Sequence, residues 1–303
     1  MKFGLFAANM GACADPVVAA KVAVAAEAAG FDSLWTGEHV VLPDPQVPPS
    51  PARPDTPLLD PAVALAFLAA HTRTIRLGTG IIILPQRNPL VLAKELASVD
   101  VLSRGRLIFG IGVGYLKPEF DALGIPFEGK GARTEEYLAA MLALWTMDKP
   151  AFAGRLVSFA GIQAMPRPVQ RPHPEIVFGG HTPAAFRRAA RLAQGWYGFA
   201  LDLERTGACI EGLKTACATL GRSFGDVEVS VTPVPERERA VLDRDSAERF
   251  AALGVRRLIL YQPRARDEAA MLRLVEQVER ELISRDDPSH PGGVHVQPPL
   301  PSG

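Results

Sequence analysis

The sequence has few of the features that define several classes of protein. Its 303 residues include only three cysteines, too few for the disulfide framework of a small secreted protein. No apolar run approaches the roughly 18 residues that a membrane-spanning helix needs, so no membrane partner is expected. The 33 basic and 33 acidic side chains cancel to a formal net charge of zero. A chain without net charge has no overall field to attract nucleic acid, so no nucleic-acid partner is expected.

Two further signals are weak or missing. The amino terminus imitates a secretory signal, but Asn9 interrupts its apolar stretch, which falls short of the usual length of about 7–15 residues. We therefore expect a cytoplasmic protein whose cysteines stay reduced. No group of histidine, cysteine, aspartate and glutamate residues has the spacing of metal ligands, so no metal site is expected.

What the sequence does contain is a regular alternation of short apolar segments and helical segments. Strands are predicted at 2–8, 33–36, 76–84, 106–113, 175–178, 196–199, 227–232 and 257–261. Helices are predicted at 16–30, 61–72, 89–103, 133–147, 183–193, 203–220, 243–253 and 267–283. Eight such units suit a closed eight-stranded parallel barrel, the TIM barrel. A doubly wound open sheet is the alternative, because periodicity does not distinguish a closed sheet from an open one.

Three segments rich in proline lie outside these units. We interpret 41–57 and 149–174 as loop insertions that act as lids or walls of a substrate site, the second with a small hairpin near 156–159. The last segment, 285–303, is interpreted as a mobile tail. The expected organisation is therefore one barrel domain at 1–284 followed by that tail.

In a barrel of this kind, reactive groups lie where the strands end and on the loops that follow. Glu38 and His39 follow the second predicted strand. Histidine changes protonation near neutral pH, so we predict His39 as the catalytic proton donor or acceptor, with Glu38 orienting it. The alternative is a buried histidine bonded to a backbone carbonyl, beside a solvated glutamate.

Glycines mark the ends of the next two strands. Gly78 and Gly80 end the third, and Gly110, Gly112 and Gly114 end the fourth. Such glycines allow a flat ligand or a phosphate to approach the backbone closely; alternatively, they relieve crowding between strands. The second group lacks the third glycine of the dinucleotide-binding fingerprint, which argues against a classical nicotinamide site.

A glycine pair and a threonine follow the fifth strand, at the start of a helix. Gly179, Gly180, His181 and Thr182 precede Pro183, and the free N–H groups of a helix start favour a bound anion. Thr182 also fits an ordinary helix cap with proline at the first helical position. A cap and a phosphate site are compatible, so both interpretations stay open.

Segments 35–39, 77–89 and above all 93–124 resemble the luciferase-like flavin and deazaflavin oxidoreductases, in particular the branch that uses coenzyme F420. The resemblance implies a closed eight-stranded barrel, often a homodimer, with the cofactor ring at the carboxyl mouth. It also implies hydride transfer between the deazaflavin and a small-molecule substrate, with Glu38 and His39 near the reactive ring.

The resemblance further implies which residues hold the cofactor. The residues expected at the ring or its side chain are Thr79, Gly80, Ile81, Val113, Gly114 and Tyr115, with a cis peptide at Gly80–Ile81. Those expected at the phosphate are Gly179, Gly180, His181 and Thr182. Tyr115 stands where some deazaflavin dehydrogenases have an acidic catalytic residue, and Glu119 lies nearby.

Three other functions fit parts of the pattern. One is an FMN-dependent monooxygenase on the same scaffold, because FMN supports oxygen activation and a deazaflavin does not readily do so. A basic rim would favour the polyglutamate tail of F420, and its candidates are Arg167, Arg171, Arg187 and Arg188. The other two are a non-catalytic flavin- or deazaflavin-binding protein and a barrel aldolase or isomerase. The aldolase would need a lysine at a strand end, and none is found there.

Overall fold

The computed structural model describes residues 1–234 and 242–284. The predicted tail at 285–303 lies outside these ranges, so the boundary at residue 284 stays a prediction. The strands are β1 (Lys2–Phe6), β2 (Ser33–Thr36), β3 (Arg76–Thr79), β4 (Ile82–Ile83), β5 (Leu107–Gly112), β6 (Phe152–Ala153), β7 (Ser158–Phe159), β8 (Glu175–Gly179), β9 (Gly195–Leu201), β10 (Glu228–Pro233) and β11 (Arg257–Leu260). The helices are α1 (Pro16–Ala28), α2 (Pro61–His71), α3 (Pro89–Leu102), α4 (Lys117–Ala122), α5 (Lys130–Thr146), α6 (Pro183–Leu192), α7 (Leu203–Thr219), α8 (Arg244–Ala252) and α9 (Glu268–Val278).

Parallel pairing closes the main sheet into a barrel. The strand order around it is β1, β2, β3, β5, β8, β9, β10 and β11, and β11 pairs with β1. β3 pairs with both β2 and β5, while the two-residue β4 runs alongside β5. This confirms the closed eight-stranded barrel and excludes the open sheet. The pair β6 and β7 forms the small hairpin expected in the segment before β8.

The structure divides the third predicted strand, which was expected to run unbroken over 76–84. β3 ends at Thr79, the Gly80–Ile81 peptide is cis as the resemblance implied, and β4 begins at Ile82. The Gly80 N–H donates to the Thr36 carbonyl oxygen at 2.8 Å, which ties this bulge to β2. A run of β-branched residues predicts a strand but not its interruption, because the interruption depends on contacts with neighbouring strands.

The glycines of β5 make room for this bulge. A Cβ on Gly110 would lie 1.8 Å from the Thr79 carbonyl oxygen, and one on Gly112 would lie 2.0 Å from Ile81 Cδ1. At these two positions the glycines therefore relieve crowding between protein atoms and do not make room for a ligand. Thr79 is fully buried, and its hydroxyl bonds both the N–H and the carbonyl of Gly110 at 2.8 Å. The structure thus gives the Thr79 side chain a part in the barrel wall, and the cofactor contact that the resemblance implied for this residue stays a prediction.

Helix starts follow the predicted capping signals. Asp15, Asn88 and Thr182 each accept hydrogen bonds from first-turn N–H groups, and proline follows each at the start of the helix. The cap at Thr182 places the amino end of α6 directly after β8, at the carboxyl mouth of the barrel.

Charged and aromatic side chains fill the amino end of the barrel. Arg257 is fully buried, with Nε 2.7 Å from Asp32 Oδ2 and a second ion pair to Glu228. Its guanidinium lies 5.8 Å from the ring of Trp35, which stacks on Tyr197 at 5.6 Å. Because side chains fill this end, we expect a ligand to bind at the carboxyl end, as in other barrels of this class.

Within the two described ranges, no helix combines the length and apolarity needed to cross a membrane, and no cluster of three or more potential metal ligands occurs. Cys13, Cys209 and Cys217 are buried and free. Burial raises the pKa of the Cys13 thiol to about 12, so this thiol is unreactive at neutral pH.

Replacing Gly110 with alanine tests the contact that joins β3 to β5. Because the new Cβ would overlap the Thr79 carbonyl, we expect Gly110→Ala to lower the free energy of unfolding by about 3 kcal/mol or to prevent folding. Gly207→Ala in α7 is the control, since its Cβ would meet only Leu253 Cδ2 at 3.8 Å. We expect the control to gain up to about 1 kcal/mol in urea denaturation. Equal stability of the two variants would contradict the prediction.

Candidate active site

The residues predicted for the site follow β2, β3, β5 and β8, and parallel pairing brings these strand ends to one mouth. Ile81 is half-buried, and a Cβ on Gly179 would lie 3.2 Å from its Cγ2 atom. Val113 and Gly114 are half-buried beside them, and Tyr115 is 50% exposed. The structure therefore brings the bulge and the ends of β5 and β8 together.

Glu38 lies in a buried ionic network. Its carboxylate accepts hydrogen bonds from the Ile83 N–H and from Arg87, whose guanidinium also lies 2.7 Å from Asp60 Oδ2. Burial raises the pKa of Glu38, and the positive charge of Arg87 opposes that shift. The prediction that Glu38 orients His39 is wrong, because its hydrogen bonds hold β4 and Arg87 instead.

Glu119 holds His39. The imidazole Nδ1 lies 3.1 Å from Glu119 Oε2, and the Val40 N–H donates to Glu119 Oε1 at 2.6 Å. The Glu119 side chain is fully buried and the His39 side chain is 9% exposed. On the other side of the ring, Nε2 lies 3.4 Å from the Tyr115 hydroxyl. His39 therefore bridges a buried carboxylate and the open mouth.

The contact with Glu119 determines which nitrogen of His39 donates to the carboxylate and which faces the mouth. An ionised carboxylate only accepts hydrogen bonds, so the imidazole donates through Nδ1 and presents Nε2 to the mouth. Burial raises the pKa of Glu119, but the hydrogen bond and the charge of His39 outweigh it and lower the pKa overall, with a further contribution from the Val40 N–H. The pair can therefore bind or release a proton at Nε2 while Glu119 stays ionised.

Helix α4 places Glu119 in this position. Leu116 and Phe120, on either side of Glu119 in the sequence, are fully buried and anchor the helix. Gly114 has φ +74°, and a Cβ there would lie 2.7 Å from both Ile83 and Phe120. Only glycine suits this turn from β5 into α4, both in backbone conformation and in the space available.

The segment before α6 has the features of an anion site. Gly180, His181 and Thr182 are exposed, and Gly180 has φ +119°. The carbonyl of Gly180 accepts a hydrogen bond from Trp196 Nε1 at 2.9 Å, and His181 Nε2 accepts one from the Phe199 N–H at 3.2 Å. These bonds hold the backbone at the amino end of a ten-residue helix, where the helix dipole favours a negative group.

Arg205 adds a positive charge beside this segment, and the sequence analysis missed it. It is exposed near the start of α7, at the same mouth. Partial desolvation of the imidazole lowers the pKa of His181, and the charge of Arg205 lowers it further. His181 is therefore neutral beside Arg205. Arg205 is an exposed cation next to this candidate anion site.

The predicted arginine rim is wrong for two of its four members. Arg167 and Arg171 precede β8, so strand direction places them at the amino end of the barrel, where Arg167 Nη2 donates to the Met147 carbonyl at 2.6 Å. Arg188 lies on α6 but pairs with Glu135 at 3.0 Å. Arg187, on the same helix, is exposed.

One signal in the sequence could have located Glu119 more closely. Pro118 stands in the first turn of α4, and proline is common at helix starts, so a short helix after β5 was predictable. The contact of Glu119 with His39, which lies 80 residues earlier in the chain, was not predictable. Arg205 had only the general signal of a basic residue after a strand.

A histidine–carboxylate pair at the mouth of a closed parallel barrel is an arrangement suited to proton transfer. The model of the family described as luciferase-like monooxygenase matches residues 1–290. The chain therefore belongs to the luciferase-like monooxygenase family of oxidoreductases.

Two of the proteins similar to this chain are named for different cofactors, and a third is uncharacterized. The uncharacterized protein Rv0953c of Mycobacterium tuberculosis is 32% identical over 281 residues, which cover 89% of this chain and 95% of that protein. The FMNH2-dependent dimethylsulfone monooxygenase of Pseudomonas putida is 31% identical over 161 residues, covering 51% of this chain and 44% of that protein. The coenzyme F420-dependent tetrahydromethanopterin reductase of Methanopyrus kandleri superposes with a TM-score of 0.75 at 18% identity, covering 93% of this chain and 98% of the reductase. At that identity the likeness shows the fold alone.

The lowered pKa of Glu119 predicts a pH-dependent stability. A carboxyl group whose pKa is lower in the folded state stabilises the fold above its unfolded pKa of about 4.3, and this is lost as pH falls through the folded value. We expect Glu119→Gln to lower the free energy of unfolding by about 1–3 kcal/mol at pH 7, with a smaller difference at acidic pH. Urea denaturation across pH measures both.

Glu95→Gln is the control with the opposite sign. Burial and the charge of Asp60 raise the pKa of Glu95, so its ionised form is unfavourable in the folded state. We expect Glu95→Gln to stabilise the protein at pH 7, with the gain disappearing below the raised pKa. A pH-independent effect of Glu119→Gln would contradict the prediction.

Proposed function

We propose that this protein is a coenzyme F420-dependent oxidoreductase that transfers a hydride between the deazaflavin and a small organic substrate. The observation that carries the proposal is the His39–Glu119 pair, since such a transfer needs a proton delivered or removed beside the ring. His39 is the proposed catalytic residue, and Nε2 is the atom that exchanges the proton. Glu119 and Tyr115 are positioning residues, and Glu38 acts through β4.

The described residues fit such a cofactor in two places. The exposed segment at 180–182, with Arg205 beside it, suits a phosphate group at the amino end of α6. The bulge at 80–81 would lie behind the ring. When bound, the coenzyme supplies the hydride chemistry, while the protein binds it, excludes water and holds the proton at His39 Nε2.

The choice of F420 over FMN rests on the resemblance of 93–124 to the F420-dependent branch, since the matches to the F420-dependent reductase and to the FMNH2-dependent monooxygenase do not separate the two cofactors. An FMN-dependent monooxygenase is the second candidate, favoured by the sequence identity to that same monooxygenase over half of this chain. A non-catalytic cofactor-binding protein is the third candidate, and such a protein would not require proton transfer at His39.

We also propose that the protein is a cytoplasmic homodimer. The free, buried cysteines suit a reducing compartment. Helix α2 is apolar on its outer face as well as its inner one, with Val63 67% exposed, and Val91 on the neighbouring α3 is 55% exposed. An apolar outer face of this kind is typical of a helix covered by another surface, and a second copy of the chain would cover it.

Binding measurements test the cofactor assignment. We expect the purified protein to bind oxidised F420 more tightly than FMN, with Arg205→Gln weakening F420 about threefold to tenfold through loss of a phosphate contact. Arg167→Gln, at the other end of the barrel, should leave the Kd unchanged. Fluorescence titration of the deazaflavin gives each Kd. Binding of FMN without binding of F420 would overturn the assignment.

Replacing His39 separates an enzyme from a carrier. We expect His39→Ala to bind F420 with nearly the wild-type Kd but to slow hydride transfer at least about 100-fold, because the proton has no carrier. Transfer is followed by the absorbance of the coenzyme with a panel of alcohols, aldehydes, ketones and quinones. His71→Ala, exposed at the end of α2, is the control. Undiminished turnover by His39→Ala would exclude the proposed role of this residue.

A further inference from the structure

Three aromatic rings meet across the carboxyl end of the barrel. Phe6 lies 5.2 Å from Phe199 and 5.2 Å from Tyr261, and the last two lie 6.3 Å apart, measured between ring centroids. Phe6 ends β1, Phe199 lies in β9 and Tyr261 directly follows β11, so the cluster covers the side of the barrel that runs from β9 to β1. We call these three residues the aromatic floor.

The aromatic floor begins beside the proposed reaction centre. A Cβ on Gly80 would lie 3.4 Å from the Phe6 ring, and a Cβ on Gly37 would lie 3.3 Å from it. Gly37 starts the loop that carries His39, and Met10 contacts the same glycine, with Sδ 3.5 Å from that Cβ position. Phe6 therefore lies between the bulge and the histidine loop, and the floor extends from there toward β9 and β11.

Part of this floor faces solvent. Phe6 is buried, but Phe199 is 37% exposed and Tyr261 is half-buried. Below it, the hydroxyl of Tyr197 is satisfied by Thr232 at 2.7 Å, so the deeper layer offers a ligand no free polar group there. Exposed aromatic faces next to a mouth bind planar apolar groups well, because offset stacking adds to the burial of apolar surface.

We propose that the aromatic floor binds the substrate, and that the substrate is a planar, largely apolar compound with a conjugated carbonyl group. The proposal rests on the proposed function, since that assigns the ends of β3, β5 and β8 to the cofactor and leaves the side from β9 to β1 for the substrate. Its carbonyl oxygen would then lie toward His39, and its ring system on Phe199 and Tyr261. Phe199 and Tyr261 are thus specificity-determining residues.

Calorimetric titration with two neutral ketones tests this without any turnover. The probes are 1-acetonaphthone, whose flat naphthalene ring system carries a carbonyl group, and cyclohexyl methyl ketone, which has no flat ring system. We expect 1-acetonaphthone to bind the wild-type protein about tenfold more tightly, and Phe199→Ala and Tyr261→Ala each to weaken it about fivefold. Both variants should change binding of the aliphatic ketone less than twofold.

Phe152→Ala is the matched control, because Phe152 is a half-buried phenylalanine in an aromatic pair with Phe159, outside the barrel. Phe199→Leu keeps the apolar volume without the flat ring and is used if circular dichroism shows that Phe199→Ala does not fold. We expect it to weaken 1-acetonaphthone as well. Equal affinity for both ketones, no binding of 1-acetonaphthone, or an equal loss in Phe152→Ala would overturn the proposal.

A second titration in saturating oxidised F420 separates this proposal from the proposed function. We expect 1-acetonaphthone to bind the F420-loaded protein at least as tightly as the free protein. Competition between the two would assign the aromatic floor to the cofactor and overturn the proposal. If F420 does not bind at all, the proposed function fails, while the variant series still decides whether the floor recognises planar ligands.

Discussion

The site depends on one close approach, that of the Thr79 carbonyl to Gly110. No side chain fits between Thr79 and Gly110, so at this point β3 and β5 meet through backbone and the Thr79 hydroxyl. The pairing of β3 with β5 completes the circuit of parallel strands, and the chain leaves the sheet at Gly80 directly after it before it returns at Ile82. The bulge, which is the surface proposed to back a cofactor ring, therefore lies directly beside this tightly packed contact in the barrel wall.

Two adjacent residues at the mouth, Glu38 and His39, each take part in an ionic contact with a buried carboxylate. Glu38 is itself the buried carboxylate, and Arg87 compensates its charge. His39 instead contacts the buried carboxylate of Glu119, which lies on α4, the helix that follows β5. Burying a charge without a partner is unfavourable, so each carboxylate lies where a cation or donor reaches it. The result is a fixed imidazole with one nitrogen facing the mouth.

The mouth has two chemically different sides. The ends of β3, β5 and β8 present backbone and small residues, with the helix start at Thr182 and the charge of Arg205 near one edge. The side from β9 to β1 presents aromatic rings, of which Phe199 is the most exposed. His39 follows β2, between these two sides. Under the proposed function, a phosphate-bearing cofactor and a flat apolar substrate would thus meet beside His39.

Much of this was determined by the sequence alone. The alternation of strands and helices is local, and caps such as Asp15 and Asn88 act within one turn, so the barrel and the end that carries His39 were predictable. Only the tertiary structure decided which carboxylate His39 contacts. Arg87 and the Ile83 N–H donate hydrogen bonds to Glu38, while Glu119, 80 residues further along the chain, contacts His39. Contacts between distant segments leave no periodic trace in a sequence, since they depend on how the closed barrel brings the ends of its strands together.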